Sequence, residues 1–226
     1  MNDTLQQQKQ RHPGGRPKRE DAEERDRRLL RIAAAMFESR GFEGTTIEAL
    51  AEAAGVGKPT VYARFRNKTE LFAAVFRKRV DVVLGMLAPE AEHIARRETD
   101  ADLETALQAF GLALLRHVLS EEAIRMHRVI VSTAIRFPEL AQLVHHEGWE
   151  RIVTVLAGLL HEFVERGDLE ITDEVETADM FLSLVLGRYQ RVRILGLPGP
   201  DQVALQRQTH NAVTLFLNGI RRHPAG

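Results

Sequence analysis

Residues 44–72 read GTTIEALAEAAGVGKPTVYARFRNKTELF, and this stretch decides how the rest of the chain is parsed. Thr45 and Glu48 have the spacing of a capping box, so a helix is expected to open there and to carry Ile47, Leu50 and Ala51 inward. Ala53, Ala54, Gly55, Val56 and Gly57 then supply a tight turn, because glycine tolerates positive φ and alanine lets two helices approach closely. Pro59 suits a first helical turn, where its missing N–H would have had no partner. A second helix should therefore start near Lys58 and carry Thr60, Val61, Tyr62, Ala63, Arg64 and Phe65. Asn67 with Glu70 repeats the cap-plus-carboxylate spacing and opens a third helix.

In the second of these helices Val61 and Phe65 are four apart and face inward, which leaves Lys58, Thr60, Tyr62, Ala63 and Arg64 on the outer surface. That surface is either the solvated side of a small bundle or a recognition helix whose cations and hydroxyls reach base edges and phosphates in a major groove. The turn, the two caps and the short length favour recognition. On that reading Lys58 and Arg64 are the base-reading cations, since arginine can bond G O6 and N7 with two donors at once. The Pro59 ring and the Thr60 methyl can meet thymine methyls.

The same residues resemble the DNA-binding signature of the TetR/AcrR family of transcriptional regulators. The shared features are a Thr-Thr start, an apolar-Ala pair, a Gly-Val turn, and a recognition helix ending Tyr-x-x-Phe before Asn-Lys-x-x-Leu. The resemblance covers about the first third of the chain. Gly57 departs from the pattern, which more often has serine; glycine is an acceptable N-cap, so a weaker helix start is expected and not a different fold. The resemblance implies that Thr46, Tyr62 and Lys68 face the phosphate backbone, that Lys58 and Arg64 read bases, and that the protein is a homodimer on a palindromic operator in double-stranded DNA. It also implies release by a small-molecule effector.

With 226 residues the chain can hold one small and one medium domain. It contains no cysteine, so neither a disulfide framework nor a thiolate nucleophile is available. No run approaches the roughly 18 apolar residues of a membrane span, and the first 20 residues have no apolar signal core. No membrane partner and a cytoplasmic location are expected. The formal net charge of −1 hides a segregation: residues 1–79 hold 17 Lys/Arg against 11 Asp/Glu, or +6, and residues 80–226 hold 14 against 21, or −7. A basic front and an acidic remainder suit a protein that presents one end to a polyanion.

In chain order, residues 1–20 form a polar segment interrupted by Pro13, Gly14, Gly15 and Pro17 and are read as a disordered basic arm. The arm is either a solubilising extension or places Arg16, Lys18 and Arg19 against phosphates or in a narrow minor groove. Residues 21–70 are read as the helix-turn-helix domain, opened by Asp21 with Glu24. Its core is expected from Leu30, Ala33, Phe37, Ile47, Leu50, Val56, Val61, Phe65 and Leu71. Residues 80–222 show no strand-like alternation and no internal repeat, and residues 71–226 are read as a helical domain for dimerisation and effector binding, making the whole chain all-α. A connecting helix runs toward Pro89. One stripe follows from Leu103 to Val118, a second, capped by Ser120, through Ile124, His127, Val131 and Ile135, and a long third from Pro138 to Gly167. Thr172 or Asp173 caps a fourth helix, and Asp201 caps the last.

Ala178–Gly187 reads ADMFLSLVLG, apolar nearly all round, so it must be covered on more than one side. It is either central to its own domain or, with Phe216, Leu217 and Ile220 of the last helix, part of a four-helix dimer interface. The resemblance points to the interface, as does the need of a short recognition helix for a two-fold partner. Phe110, Leu114, His117, His127, Trp149, Phe181 and Tyr189 come from separate helices and make either an ordinary core or an effector pocket of apolar walls with few polar groups. No Gly-x-Ser-x-Gly, phosphate-binding loop, dinucleotide fingerprint or zinc motif appears, so no catalytic residue, metal or cofactor is assigned. His146 and Glu150 have metal-pair spacing beside His145, but surface pairs of this kind are common and no third ligand is fixed. The competing classes are a helical enzyme or metal-binding protein with a DNA-binding-like module, and a nonspecific DNA binder, which would show no preferred palindrome.

Overall fold

The computed structural model describes residues 19–95 and 103–220, with side chains for residues 23–87 and 103–220. Among these residues the chain is all-helical: α1 Arg19–Arg40, α2 Ile47–Ala54, α3 Lys58–Tyr62, α4 Lys68–Ala95, α5 Leu103–Val118, α6 Glu121–Thr133, α7 Pro138–Val144, α8 Glu150–Glu165, α9 Glu174–Ile194 and α10 Gln202–Ile220. A π-helical turn, His145–Trp149, joins α7 to α8 without a break. Arg16 and Lys18 lie outside the described residues. Arg19 opens α1, two residues before the expected Asp21 start, and its side chain also lies outside.

In the amino-terminal head the cap of α2 falls one residue later than the sequence suggests. Thr45 is buried and its hydroxyl donates to the Gly41 carbonyl at 2.9 Å, closing the loop from α1, while the Thr46 hydroxyl accepts from the Ala49 N–H at 3.1 Å. Gly55, at φ +66°, ends α2 in the left-handed region; the Val56 N–H returns to the Ala51 carbonyl at 3.0 Å. Gly57 starts α3 with extended backbone and no side-chain bond, as the missing serine implies. That helix is shorter than expected: it stops at Tyr62, although the Phe65 N–H still reaches the Val61 carbonyl at 2.8 Å and turns Phe65 into the core. Asn67 and Glu70 cap α4 as their spacing predicts, with the Glu70 N–H donating to Asn67 Oδ1 at 2.8 Å and the Arg66 N–H to Glu70 at 2.7 Å.

The head core is organised by Phe37, Phe42 and Phe72, whose ring centroids lie 5.1–5.9 Å apart, two of the three pairs edge-to-face. Ala33, Leu50, Val61 and Leu71 are fully buried around them. Leu29 takes the deep position expected for Leu30, which is half-buried, as is Val56. This core does not stop at the head. Met126, Val129 and Ile130 of α6 and Leu140 of α7 belong to the same cluster, and Phe137 packs edge-on against Phe42 at 4.9 Å. Ion pairs follow the same seam: Glu38 of α1 takes Arg79 of α4 and, at 2.9 Å, Arg125 of α6, while Arg136 takes Glu43 at 2.7 Å. The 70/71 division therefore falls inside α4 and inside a continuous packing layer.

The larger core lies between the far half of α4 and α5, α8, α9 and α10, with Leu107, Phe110, Leu114, Leu156, Leu160, Phe181, Leu182 and Val213 closed off from solvent. Four expectations are corrected here. The connecting helix does not end at Pro89 but runs on to Ala95. On α6 the buried stripe is Ile124, Met126, Val129, Ile130 and Thr133, so Val131 and Ile135 are exposed, Ile135 at 92%. The π-turn is unforeseen: its extra residue shifts the stripe of the long helix and presents Gly148 to α4, where a Cβ would lie 2.8 Å from the Phe76 ring. Finally, Phe216 and Leu217 are only 6% and 1% exposed, because α10 turns them into its own protomer's core. In this packing they leave a second copy little surface to meet. Ile220 is half-buried against the same core. The exposed large apolar side chains on α9 and α10 are Val175 (59%), Met180 (55%), Leu184 (38%), Val203 (67%) and Leu215 (64%).

Candidate nucleic-acid interface

The α2 and α3 helices make their outer surface from the short segment that the turn at Gly55 holds against α1. Lys58, Pro59 and Thr60 in the first turn of α3 are exposed, and none has a side-chain hydrogen bond or ion pair among the described residues. They are free to meet a ligand. Tyr62 is also exposed, but its hydroxyl donates to Glu48 in the first turn of α2 at 3.1 Å. The carboxylate of Glu48 is held below its ordinary pKa, first by its own backbone N–H and then by the Tyr62 hydroxyl, which is itself pushed up by the same bond. A fixed negative charge thus stands among the expected phosphate contacts.

Thr46 uses its oxygen as the α2 cap, which leaves the hydroxyl proton free to donate outward. Lys68, the first residue of α4, donates to the Glu43 carbonyl at 3.2 Å and lies 4.6 Å over the Phe42 ring. Burial pushes its pKa down, and Glu43 pushes it back. An ammonium has three donors, so two remain for a phosphate. Arg64 follows α3 in the turn to α4 and pairs with Asp26 of α1 at 2.8 Å. Beside that pair a groove of about 380 Å³ is lined by Arg25, Arg28, Gly55, Thr60 and Arg64. Arg25, Arg28 and Asp26 were not singled out in the sequence, and Glu48 only as the far member of a capping box. The two arginines had a signal in the basic run of α1, but no fixed spacing ties that run to α3.

The expected pocket residues lie apart from the cavities at α1–α4 and α1–α3. Phe110, Leu114 and Phe181 are closed inside the larger core, with Trp149 and Tyr189 packed half-buried against it. Trp149 Nε1 donates to Asp179. His117 and His127 are half-buried, and burial lowers both pKa values; Arg79 lowers that of His117 further, against Glu122. One cavity between described residues, of about 450 Å³, lies elsewhere, between α1 and α4. His145 and His146 both turn onto Glu150, at 3.4 and 2.9 Å, and the histidines hold that carboxylate below its ordinary pKa. No group of three or more His, Asp or Glu that could hold a metal occurs among the described residues, and none of their helices is long and apolar enough to cross a membrane.

A short helix with unpartnered polar and cationic residues, held by a glycine turn against two others and followed by a larger helical body, defines a helix-turn-helix DNA-binding protein. Residues 29–75 match the family "Bacterial regulatory proteins, tetR family", and residues 105–219 match "AefR-like transcriptional repressor, C-terminal domain". The chain belongs to the TetR family of transcriptional regulators. Among its relatives, the HTH-type transcriptional regulator YvkB of Bacillus subtilis is 25% identical over 206 residues, covering 86% of this chain and 96% of that one. The solved structure of the Flavonoid-responsive Regulator FrrA is 30% identical with a TM-score of 0.70, covering 89% of this chain and 100% of that one. A TetR-family regulator from Mesorhizobium loti superposes with a TM-score of 0.80 over 89% of this chain and 98% of that one. At 24% identity it speaks for the fold alone.

Proposed function

We propose that this regulator is a homodimeric repressor that holds a palindromic operator and is released by a small-molecule effector. The observation that carries the reading is the first turn of α3, where Lys58, Pro59 and Thr60 project with no side-chain hydrogen bond or ion pair among the described residues. In this assignment residues 21–70 are the DNA-binding unit, Lys58, Pro59, Thr60 and Arg64 read bases, and Thr46, Tyr62 and Lys68 bind phosphates. Arg16, Lys18 and Arg19 form the arm, and residues 71–226 dimerise and take the effector. The exposed apolar residues Met180, Leu184 and Leu215 on α9 and α10 form the dimer face. The effector lies among Phe110, Leu114, His117, His127, Trp149, Phe181 and Tyr189, several of which must part to admit it. The flavonoid-responsive relative supports a small molecule in this role. Binding of effector and of operator are then one linkage through α4, which Phe76 and Arg77 pin to the π-turn at Gly148 and Glu147.

Selection of bound sequences from random DNA tests the reading. A two-fold symmetric consensus is expected, and Arg64→Ala should cost about 1–3 kcal/mol on it and relax one base pair per half-site. Binding with no preferred palindrome would make the protein a nonspecific DNA binder, and an unrelaxed preference would make Arg64 a phosphate contact.

A further inference from the structure

The cavity of about 450 Å³ between α1 and α4 belongs to neither the α3 surface nor the larger core. Its floor is apolar, formed by Leu30, Ala34 and Ala35 of α1 and the buried Val75 of α4. Its rim is entirely ionic, with Arg27, Arg31, Lys78 and Arg79 against Glu24 and Glu38, a balance of +2 from four cations and two acids. Both acids are engaged: Glu24 accepts from Arg27 at 3.0 Å and Arg31 at 3.3 Å, and Glu38 accepts from Arg79 and Arg125. Lys78 has no ion pair among the described residues.

We propose that this cavity is a second small-molecule site, for an amphipathic carboxylate, whose occupancy loosens the head from the body. The volume lies in the range of small-molecule sites. An apolar body satisfies the floor, which offers no neutral donors or acceptors to read a base or a sugar, and one carboxylate satisfies the surplus positive charge at Lys78 and Arg79. The anion would then stand beside Arg79, the same guanidinium that ties Glu38 of α1 to α4, and would compete with Glu38 for it. The tie also includes α6 through Arg125, so the competition acts on α1, α4 and α6 together. The effect on DNA rests on the proposed function; the binding itself does not.

Decanoate is the probe, titrated into the full-length protein by calorimetry, with decanol as the uncharged control. Saturable binding is expected, at least tenfold weaker for decanol and at least tenfold weaker in each of two surface variants, Ala35→Trp, which fills the cavity, and Lys78→Glu, which inverts its charge. Both variants should keep the wild-type thermal midpoint. Saturating decanoate should weaken operator binding severalfold in the wild type and leave Ala35→Trp unaffected. No saturable binding, binding that neither variant weakens, or an operator affinity unmoved by saturating decanoate would overturn the proposal. A wild type that binds decanoate in this way but binds no DNA without it would instead sink the regulatory reading and leave the site standing.

Discussion

The head and the larger helical body are built from the same element, and they differ in how much each helix says about its own orientation. In the head, α2 and α3 carry caps, a glycine turn and an N-terminal proline, each of which demands one backbone conformation at one residue. Once these are placed, the inward set of Leu50, Val61 and Phe65 follows, and so does the outward set of Lys58, Thr60 and Tyr62. In the body, α9 is apolar nearly all round over Ala178–Gly187 and α10 adds a second apolar surface, and apolarity says that a side chain is buried without saying against what. Phe216 and Leu217 satisfy themselves inside their own protomer, while Met180, Leu184 and Leu215 do not. Polar chemistry orients a helix, and hydrophobicity alone only buries it.

The contrast is weakest at the seam, where residues of the body complete the core of the head, and the largest predicted effect tests that. Phe37→Ala removes a fully buried ring from the three-phenylalanine cluster and should cost about 3–5 kcal/mol. Trp149 is the single tryptophan and lies in the body, so its fluorescence reports the body while circular dichroism reports all helices. Because Met126, Val129, Ile130 and Leu140 share the damaged core, both signals should fall at the same lowered midpoint. A fluorescence transition that stays at the wild-type midpoint would make the head an independent unit.

The second effect separates exposed from buried apolar residues on α9 and α10. Leu184→Glu combined with Leu215→Glu should give a folded monomer by light scattering, with operator affinity down on the order of 100-fold as the second half-site is no longer tethered. Phe216→Ala should do the opposite, lowering stability while the population that folds remains dimeric. A dimer that survives the double substitution would move the interface off these helices.

The fold class and the head were legible in the sequence because capping and turn chemistry are local: Asn67, Glu70, Ser120 and Asp201 cap where their spacing places them, and of the two candidates Thr172 and Asp173 it is Asp173 that caps α9. Thr45 and Thr46 were exchanged because both are threonines with an acidic or backbone partner nearby, and only the loop from Gly41 decides which is buried. The π-turn was illegible because Gly148 is explained by Phe76, 72 positions earlier in the chain. The partners that restrain the candidate interface, Asp26 for Arg64 and Glu48 for Tyr62, are likewise tertiary and leave no spacing to read.

A smaller effect distinguishes the two regions by titration, since there is no histidine between residues 13 and 92, whereas His117 and His127 lie on the body side of the seam. Burial lowers both pKa values in the folded protein, so below about pH 6.5 the unfolded chain binds more protons than the folded one and stability must fall with pH. Above that value neither histidine contributes. His127→Gln should flatten the decline in denaturant midpoint between about pH 7 and 5, and an unchanged slope would assign the decline to other groups.

The smallest effect concerns Glu48, the acid bonded to Tyr62 among the expected phosphate contacts. Glu48 is exposed, its carboxylate is kept ionised by its own backbone N–H and by Tyr62, and it occupies the donor that Tyr62 would otherwise offer to a phosphate. DNA must therefore meet both a repulsive charge and a hydroxyl already in use. Glu48→Gln removes the charge and weakens the hold on Tyr62, because a neutral amide oxygen is a poorer acceptor than a carboxylate. Operator and random DNA should both be bound several times more tightly at low salt, and the gain should shrink between about 50 and 200 mM as exposed charges are screened. Sequence preference should stay as it is, because neither residue is assigned to a base. Weaker binding by Glu48→Gln would mean that the Glu48–Tyr62 bond positions the tyrosine for its phosphate, and the acid would then be part of the contact surface and not a restraint upon it.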